Sequence, residues 1–192
     1  MKKLKHSIGE VEFKKLLIFL RGDERLKSFT KDRYLKIFTL LYYSGVRLNE
    51  LSTFTNKNIK EILSCGETKI YLSKTDNERM LYFSSTAIKD IAKLFTESMK
   101  EEKDDYKVIR AWNRPYSSVH HITLIQSVNK YIQFVLGSGY SSHSFRQGLI
   151  TDMACKSVNP KIIQSFIGHK SIRTTLSYVK PTKADVVGAL VR

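Results

Sequence analysis

Residues 143–146 read His-Ser-Phe-Arg, residues 168–171 read Gly-His-Lys-Ser, and residues 174–178 read Thr-Thr-Leu-Ser-Tyr. In the first motif the histidine and the arginine are three positions apart, so a helix would place both side chains on one face. A group that transfers protons and a fork of hydrogen-bond donors would then face one target. These three motifs are the basis of the interpretation that follows.

Apolar spacing predicts that the first motif begins a helix. Ser142 or Ser144 is a candidate N-cap, and His143 and Arg146 would then lie near the helix start, where backbone N–H groups favour an anion such as phosphate. The predicted buried stripe consists of Phe145, Leu149, Ile150 and Met153. A pair at this spacing is more often a solvated helix face, so its significance comes from the neighbouring motifs.

The charge of the chain predicts a polyanionic partner. Its 192 residues contain 33 Lys and Arg against 18 Asp and Glu, a net charge of +15. Residues 106–192 hold 12 basic and 2 acidic side chains, so the charge is local. Nucleic acid and an acidic membrane surface would both fit. A membrane-surface protein would need a basic amphipathic helix, whereas the basic residues here alternate with predicted strands and loops.

Several classes of protein and site are not indicated. Apolar runs fall short of a membrane span and the start lacks a signal-peptide core, which predicts a cytoplasmic, nucleoid-associated protein. Cys65 and Cys155 form no CxxC pattern, so neither a disulfide framework nor a zinc site is expected. His120 and His121 are adjacent and would point in different directions, which favours a surface or turn role.

The fold class predicted is mainly α with a small three-stranded antiparallel sheet (α+β). A capping box at Ser7 and Glu10 should open the first helix, which buries Val11, Leu16, Leu17 and Leu20. Further helices are predicted from Phe29 to Ser44, Ser85 to Met99, Ser118 to Leu136 and Lys161 to Ile167. The strands are predicted at Ile59–Leu63, Thr68–Leu72 and Arg79–Phe83.

An arginine follows the most apolar of these helices. Gly45 should end that helix, and Arg47 opens a new segment in which Glu50 could orient it by a charge-assisted bond. The two side chains could equally form only a surface pair. Farther on, Arg114 lies in an aromatic and basic loop, residues 112–116, suited either to following a nucleic-acid backbone or to ordinary packing.

Taken together, these stretches resemble the tyrosine recombinases of the phage-integrase and Xer type. Residues 143–146, 167–171 and 175–178 resemble the three C-terminal motifs of that family, and residues 44–51 (Ser-Gly-Val-Arg-Leu-Asn-Glu-Leu) resemble its first arginine box. The resemblance runs from Ser7 to Tyr178 and covers only the family's catalytic domain. It implies a single catalytic domain over 1–192, with a basic arm at 1–6, a C-terminal tail at 179–192 and no N-terminal core-binding domain.

The resemblance also implies roles for the motif residues. Phosphoryl transfer at a DNA backbone needs fixed donors around the non-bridging oxygens, and the forked guanidinium groups of Arg47 and Arg146 suit that need. By resemblance, His143 helps proton transfer and phosphate contact, and His169 contacts the phosphate and supports the nucleophile.

Tyr178 would be the nucleophile, singled out among ten tyrosines only by its place in the motif. Its attack would leave a 3′-phosphotyrosyl link and free a 5′-hydroxyl. Lys74, at the predicted turn of residues 73–78, resembles the family's catalytic lysine and would protonate that hydroxyl, although the usual neighbouring glycines are absent; Lys69 is the alternative. Neither ATP nor a metal would be required.

The function implied is site-specific DNA recombination, with double-stranded DNA as partner and a homo-oligomer, a tetramer in the synapse. Alternatives are a type IB topoisomerase-like or DNA end-resolving enzyme, which would not depend on a partner copy, and a non-catalytic DNA-binding module, which would not need Tyr178. The apolar residues of the tail would dock on a neighbouring protomer or on the same domain. The DNA-binding candidates are Arg114, Lys170 and Arg173.

Overall fold

The computed structural model describes residues 6–72, 77–95, 103–111, 114–169 and 171–177. Lys74, Lys170, Tyr178, the first five residues of the basic arm and the tail at 179–192 lie outside them. The chain divides into two compact units, residues 1–149 and 150–192. The single catalytic domain over the whole chain stays a prediction.

The first unit is mainly helical and contains two short hairpins. Its elements are α1 (Glu10–Gly22), α2 (Ser28–Ser44), α3 (Leu48–Leu51), α4 (Asn56–Cys65), β1 (Glu67–Leu72), β2 (Asn77–Tyr82), α5 (Ser85–Phe95), β3 (Arg110–Ala111), β4 (Arg114–Ser118) and α6 (His121–Leu136). Helix α7 (Ser142–Cys155) crosses the boundary between the units. The second unit contains α8 (Pro160–Ile167) and α9 (Ile172–Leu176).

Helix α2 forms the centre of the first unit and packs against α1, α3 and α5. Its Phe38 is fully buried and stacks on Tyr131 of α6 and on Phe145 of α7, with ring centroids 6.2 and 5.9 Å apart. Offset aromatic contacts of this kind add to the free energy gained from burying the rings. Because Phe145 is the neighbour of Arg146, this contact fixes the helix that carries the first motif.

The N-terminal segment packs closely on α7. The Ile8 N–H donates to the Ser144 carbonyl at 2.9 Å, and a Cβ at Gly148 would lie 1.9 Å from the Ile8 carbonyl oxygen. Only glycine allows this approach. His6, at the end of the predicted arm, stacks on Tyr140 with centroids 5.0 Å apart.

The predicted capping box at Ser7 and Glu10 is wrong. Helix α1 begins at Glu10, and the N–H of Gly9 donates to Glu12 Oε2 at 3.0 Å, while Glu10 pairs with Lys14. The prediction that Val11 is buried is also wrong, because Val11 lies off the helix face on which Leu16 and Leu20 are buried as predicted.

The fold class is confirmed as mainly helical with small antiparallel sheet, but the prediction of three strands is wrong in its first strand. Residues 59–63 belong to α4, because Ile59 and Ile62 are buried one helical turn apart and the Thr55 N–H is capped by Asn58 Oδ1 at 2.9 Å. The described residues form two two-stranded hairpins, β1–β2 and β3–β4. Arg114 accordingly begins a strand and does not lie in a loop.

Candidate active site

Arg47 is held by Glu50 at the turn between α2 and α3. Gly45 ends α2 in the left-handed conformation (φ 59°), and α3 follows with Arg47 as its N-cap. The Arg47 N–H donates to Glu50 Oε2 at 2.9 Å, and Nη1 donates to Oε1 at 2.7 Å. The Arg47 side chain is 42% exposed and that of Glu50 only 11%. The predicted charge-assisted bond is therefore present, and it leaves much of the guanidinium open.

Arg146 is anchored to the same turn from α7. Its side chain is among the largest fully buried ones, at 1% exposure, and Nη1 donates to the Gly45 carbonyl at 2.9 Å. His143, three residues before it, is exposed in the first turn of the helix. The helix predicted from the motif is confirmed. Within it the side chain of Arg146 is buried, whereas that of His143 is exposed to solvent.

The start of α7 differs from the predicted capping. Ser144 lies inside the helix and is buried; its Oγ accepts from the Ser141 N–H at 3.0 Å, and its own N–H donates to the Ser141 carbonyl at 2.8 Å. The Ser142 N–H donates to Asn129 Oδ1 of α6 at 2.8 Å. These bonds fix the first turn, and therefore the backbone of His143. In the predicted stripe Phe145 and Ile150 are buried, and Leu149 and Met153 are half-buried.

Three of the predicted residues line one pocket. This pocket has a volume of about 140 Å³, and Arg47, His143 and Arg146 contribute to its wall. Its other lining residues are Val46, Leu48, Asn49, Ile125 and Ser142. Two guanidinium groups and an imidazole beside a helix start form a set of donors suited to a phosphate group.

Arg79 of β2 also lies close to Glu50, although none of the sequence motifs points to it. Its Nη2 lies 3.6 Å from Glu50 Oε2, and its side chain is 7% exposed. Burial lowers the pKa of Arg79, the neighbouring Glu50 raises it, and Arg47 lowers it. The alternation of side chains along a strand could have indicated its burial, because Arg79 lies on the same face of β2 as the buried Leu81.

The second unit contains the histidine of the second motif. Gly168 ends α8 with φ 72°, and the His169 carbonyl accepts from Gln164 Nε2 at 3.1 Å. The imidazole Nδ1 lies 2.9 Å from Oγ1 of the buried Thr175, which belongs to the third motif. Thr175 thereby fixes the plane of the ring. This role was not foreseen from the sequence.

The basic residues proposed to contact DNA are only partly described. Arg114 is exposed at the start of β4 and Arg173 is exposed on α9, whereas Lys170 lies outside the described residues. In the part of the chain that the structure describes, no helix has the length and apolarity to span a bilayer. The same residues contain no group of three or more His, Cys, Asp or Glu side chains arranged to hold a metal ion.

The sequence matches the model of the phage integrase family over residues 10–185. A tyrosine recombinase of Pseudothermotoga lettingae is 24% identical over 94% of this chain and 59% of its own length. A probable integrase/recombinase protein of Methanocaldococcus jannaschii is 27% identical over 79% of this chain and 46% of its own length. This chain thus spans about half the length of the curated relatives it matches.

Solved structures share the fold. The XerH site-specific recombinase bound to its difH substrate superposes with a TM-score of 0.69 at 22% identity, over 98% of this chain and 54% of that one. The Tn1549 transposon integrase in complex with a circular intermediate DNA gives a TM-score of 0.70 at 19% identity, over 97% of this chain and 65% of that one.

Proposed function

Because this chain belongs to the phage integrase family of tyrosine recombinases, we propose that it cleaves and rejoins double-stranded DNA at specific sites through a 3′-phosphotyrosyl intermediate. The observation that carries the proposal is the convergence of Arg47, His143 and Arg146 on one pocket. The likeness to solved recombinases in their substrate and DNA complexes supports DNA as the partner. The net charge of +15 supports the same partner.

The arginines would stabilise the charge that develops on the phosphate. Attack at phosphorus produces a pentacoordinate transition state in which negative charge builds on the non-bridging oxygens. Arg47 is pre-oriented by Glu50, and Arg146 by the Gly45 carbonyl, so neither fork needs to reorganise during the reaction. His143, which is exposed in the first turn of α7, would contact a phosphate oxygen and assist proton transfer.

The covalent step would use Tyr178 and Lys74. The phenolate oxygen of Tyr178 would form a bond to phosphorus while the bond to the 5′ oxygen breaks, and Lys74 would donate a proton to that oxygen. A phosphodiester replaces a phosphodiester, and a 5′-hydroxyl can reverse the step. With Nδ1 of His169 held by Thr175, we assign its phosphate contact to Nε2.

A trapped covalent intermediate tests this proposal. The protein is incubated with a pool of nicked duplexes of randomised sequence, in which the short fragment released on cleavage diffuses away, and the products are separated under denaturing conditions. We expect a protein–DNA band that is abolished by Tyr178→Phe and retained by Tyr82→Phe, a matched change at an exposed tyrosine of β2. An adduct that persists in Tyr178→Phe would sink the proposal. Binding without any adduct would favour a non-catalytic DNA-binding module.

We further propose that the protein assembles as a homo-oligomer on DNA, a tetramer in the synapse, and that it is nucleoid-associated. Residues 179–192 contain Val186, Val187, Leu190 and Val191, which are too few to form a core and would dock on this domain or on a neighbouring protomer. The family resemblance favours the neighbouring protomer. Light scattering on a two-site duplex compares the full chain with one truncated after Pro181. Loss of the larger complexes with retained DNA binding is expected. Unchanged assembly of the truncated chain would reject the exchanged tail, and unfolding of that chain would instead support docking of the tail on the same domain. A full chain that forms no larger complexes would favour the partner-independent, topoisomerase-like alternative.

A further inference from the structure

Arg47, Glu50 and Arg79 form a cluster of three charges in which the carboxylate lies between two guanidinium groups. Glu50 Oε1 accepts from Arg47 Nη1 at 2.7 Å, and Glu50 Oε2 accepts from the Arg47 N–H and lies 3.6 Å from Arg79 Nη2. Exposure falls from 42% at Arg47 to 11% at Glu50 and 7% at Arg79. The cluster therefore has an open end at Arg47 and an enclosed end at Arg79.

The charge of the cluster depends on Arg79. An Arg47–Glu50 pair alone is electrically neutral, and a neutral pair attracts an anion far more weakly than a free arginine does. Since arginine stays protonated in proteins, Arg79 brings the cluster to a net charge of +1. A second cation next to Glu50 also reduces the free-energy cost of enclosing its carboxylate.

Arg79 also links Arg47 to the hairpin. It lies on β2 opposite Ile70 of β1, and β2 begins at Asn77, three residues after Lys74. Helix α3 also contacts β1, the strand that pairs with β2. One buried side chain of β2 thus connects this strand, through Glu50, with the arginine of the pocket.

We propose that Arg79 is a positioning residue for the phosphate site: through Glu50 it keeps Arg47 oriented and leaves the cluster with the positive charge that the scissile phosphate requires. This inference rests on the proposed function. Arg79 acts only through Glu50 and Arg47 and does not itself contact DNA.

A substrate that lacks the charge of the scissile phosphate separates an electrostatic role of Arg79 from a loss of protein stability, because a loss of stability would slow adduct formation on both substrates equally. The duplex recovered from the covalent pool is prepared with an ordinary scissile phosphodiester and with a neutral methylphosphonate at that position. Adduct formation is measured for wild type, Arg79→Met, Arg79→Lys and Leu81→Ala. Leu81 is the matched control, because it is buried on the same face of β2 and carries no charge. Thermal unfolding of each variant is measured in parallel.

We expect Arg79→Met to slow adduct formation on the phosphodiester by about tenfold to a hundredfold, because electrostatic stabilisation of the transition state is lost. On the methylphosphonate, Arg79→Met should reduce the rate of adduct formation only a few-fold. The rate for Arg79→Lys should lie between that of wild type and that of Arg79→Met. Leu81→Ala should lose the same factor on both substrates.

Equal losses on the two substrates for Arg79→Met, or no loss at all, would overturn the inference. If Arg79→Met does not fold, the losses in rate on the two substrates are compared for Arg79→Lys instead. Equal losses for that variant would overturn the inference in the same way. A wild-type protein that forms no adduct would instead reject the proposed function, and the role of Arg79 would fall with it.

Discussion

The guanidinium of Arg146 donates to the carbonyl of Gly45 at 2.9 Å across 101 residues of sequence. Gly45 is the left-handed C-cap of α2, and Arg47 follows it by two residues. One backbone turn therefore sets the position of both arginines of the pocket. Under the proposed function, the conformation of Gly45 would affect cleavage of DNA as well as the end of the helix.

We expect Gly45→Ala to destabilise the protein by about 1 kcal/mol, since an L side chain at φ 59° is strained. Adduct formation should fall as well, because the Arg146 acceptor and Arg47 would both move. Urea unfolding measures the first effect. Gly22→Ala is the matched control, because nothing lies within 4 Å of a Cβ there, and it should be neutral or slightly stabilising. Equal stability of the two variants would contradict the argument.

Replacing Arg146 with Lys should slow cleavage by about a hundredfold or more. An ammonium could keep one bond to the Gly45 carbonyl, but it cannot also present a fork to phosphate. DNA affinity, measured by fluorescence anisotropy, should change only a few-fold because many phosphate contacts remain. Arg21→Lys, a substitution of the same kind on the exposed side of α1, is the control and should leave cleavage unchanged. Near-normal cleavage by Arg146→Lys would remove this residue from the phosphate site.

Thr175→Val should slow adduct formation about tenfold, the amount that one hydrogen bond typically contributes. Valine keeps the shape of the buried side chain but removes the hydroxyl that holds Nδ1 of His169. Thr174→Val, at the exposed neighbouring position, should have little effect. If both variants behave alike, the contact with His169 does not orient the ring for catalysis.

The pH dependence of stability should report on Asp23. Arg25 donates to its two carboxylate oxygens at 2.7 Å each, and Tyr131 donates at 3.1 Å, which holds the pKa of Asp23 well below its ordinary value despite burial. A carboxyl with a depressed folded-state pKa stabilises the fold above its unfolded pKa of about 3.9 and loses that contribution as the pH falls.

Asp23→Asn should therefore be less stable than wild type at pH 7, and the difference should narrow as the pH is lowered below about 4. Chemical unfolding of both proteins over this range measures the difference. A gap that stays constant with pH would mean that the charge of Asp23 does not contribute.

The sequence was most informative where spacing along a helix carried the signal. The helix after Ser142, the end of α2 at Gly45 and the Arg47–Glu50 bond all depend on residues close in the chain, and the structure contains them. Residues 59–63 (Ile-Lys-Glu-Ile-Leu) were predicted as a strand, but Ile59 and Ile62 are three positions apart and are buried on one face of α4. The spacing of these two residues is itself a helical pattern, which the strand prediction did not take into account.

Long-range partners were beyond sequence reasoning. The contact of Arg146 with Gly45 and that of Arg79 with Glu50 depend on how distant segments pack, which no local pattern encodes. Thr175 is close to His169 in sequence, but its role depends on the path of the chain between α8 and α9.

The attachment site of DNA on the protein tests the central claim most directly. After adduct formation the protein is digested, the DNA is reduced to a nucleotide remnant, and the modified peptide is identified by mass spectrometry. Ten tyrosines are present, so the assignment can fail at nine other positions. We predict a phosphotyrosyl remnant at Tyr178; a remnant on any other residue of the wild-type protein would contradict the account.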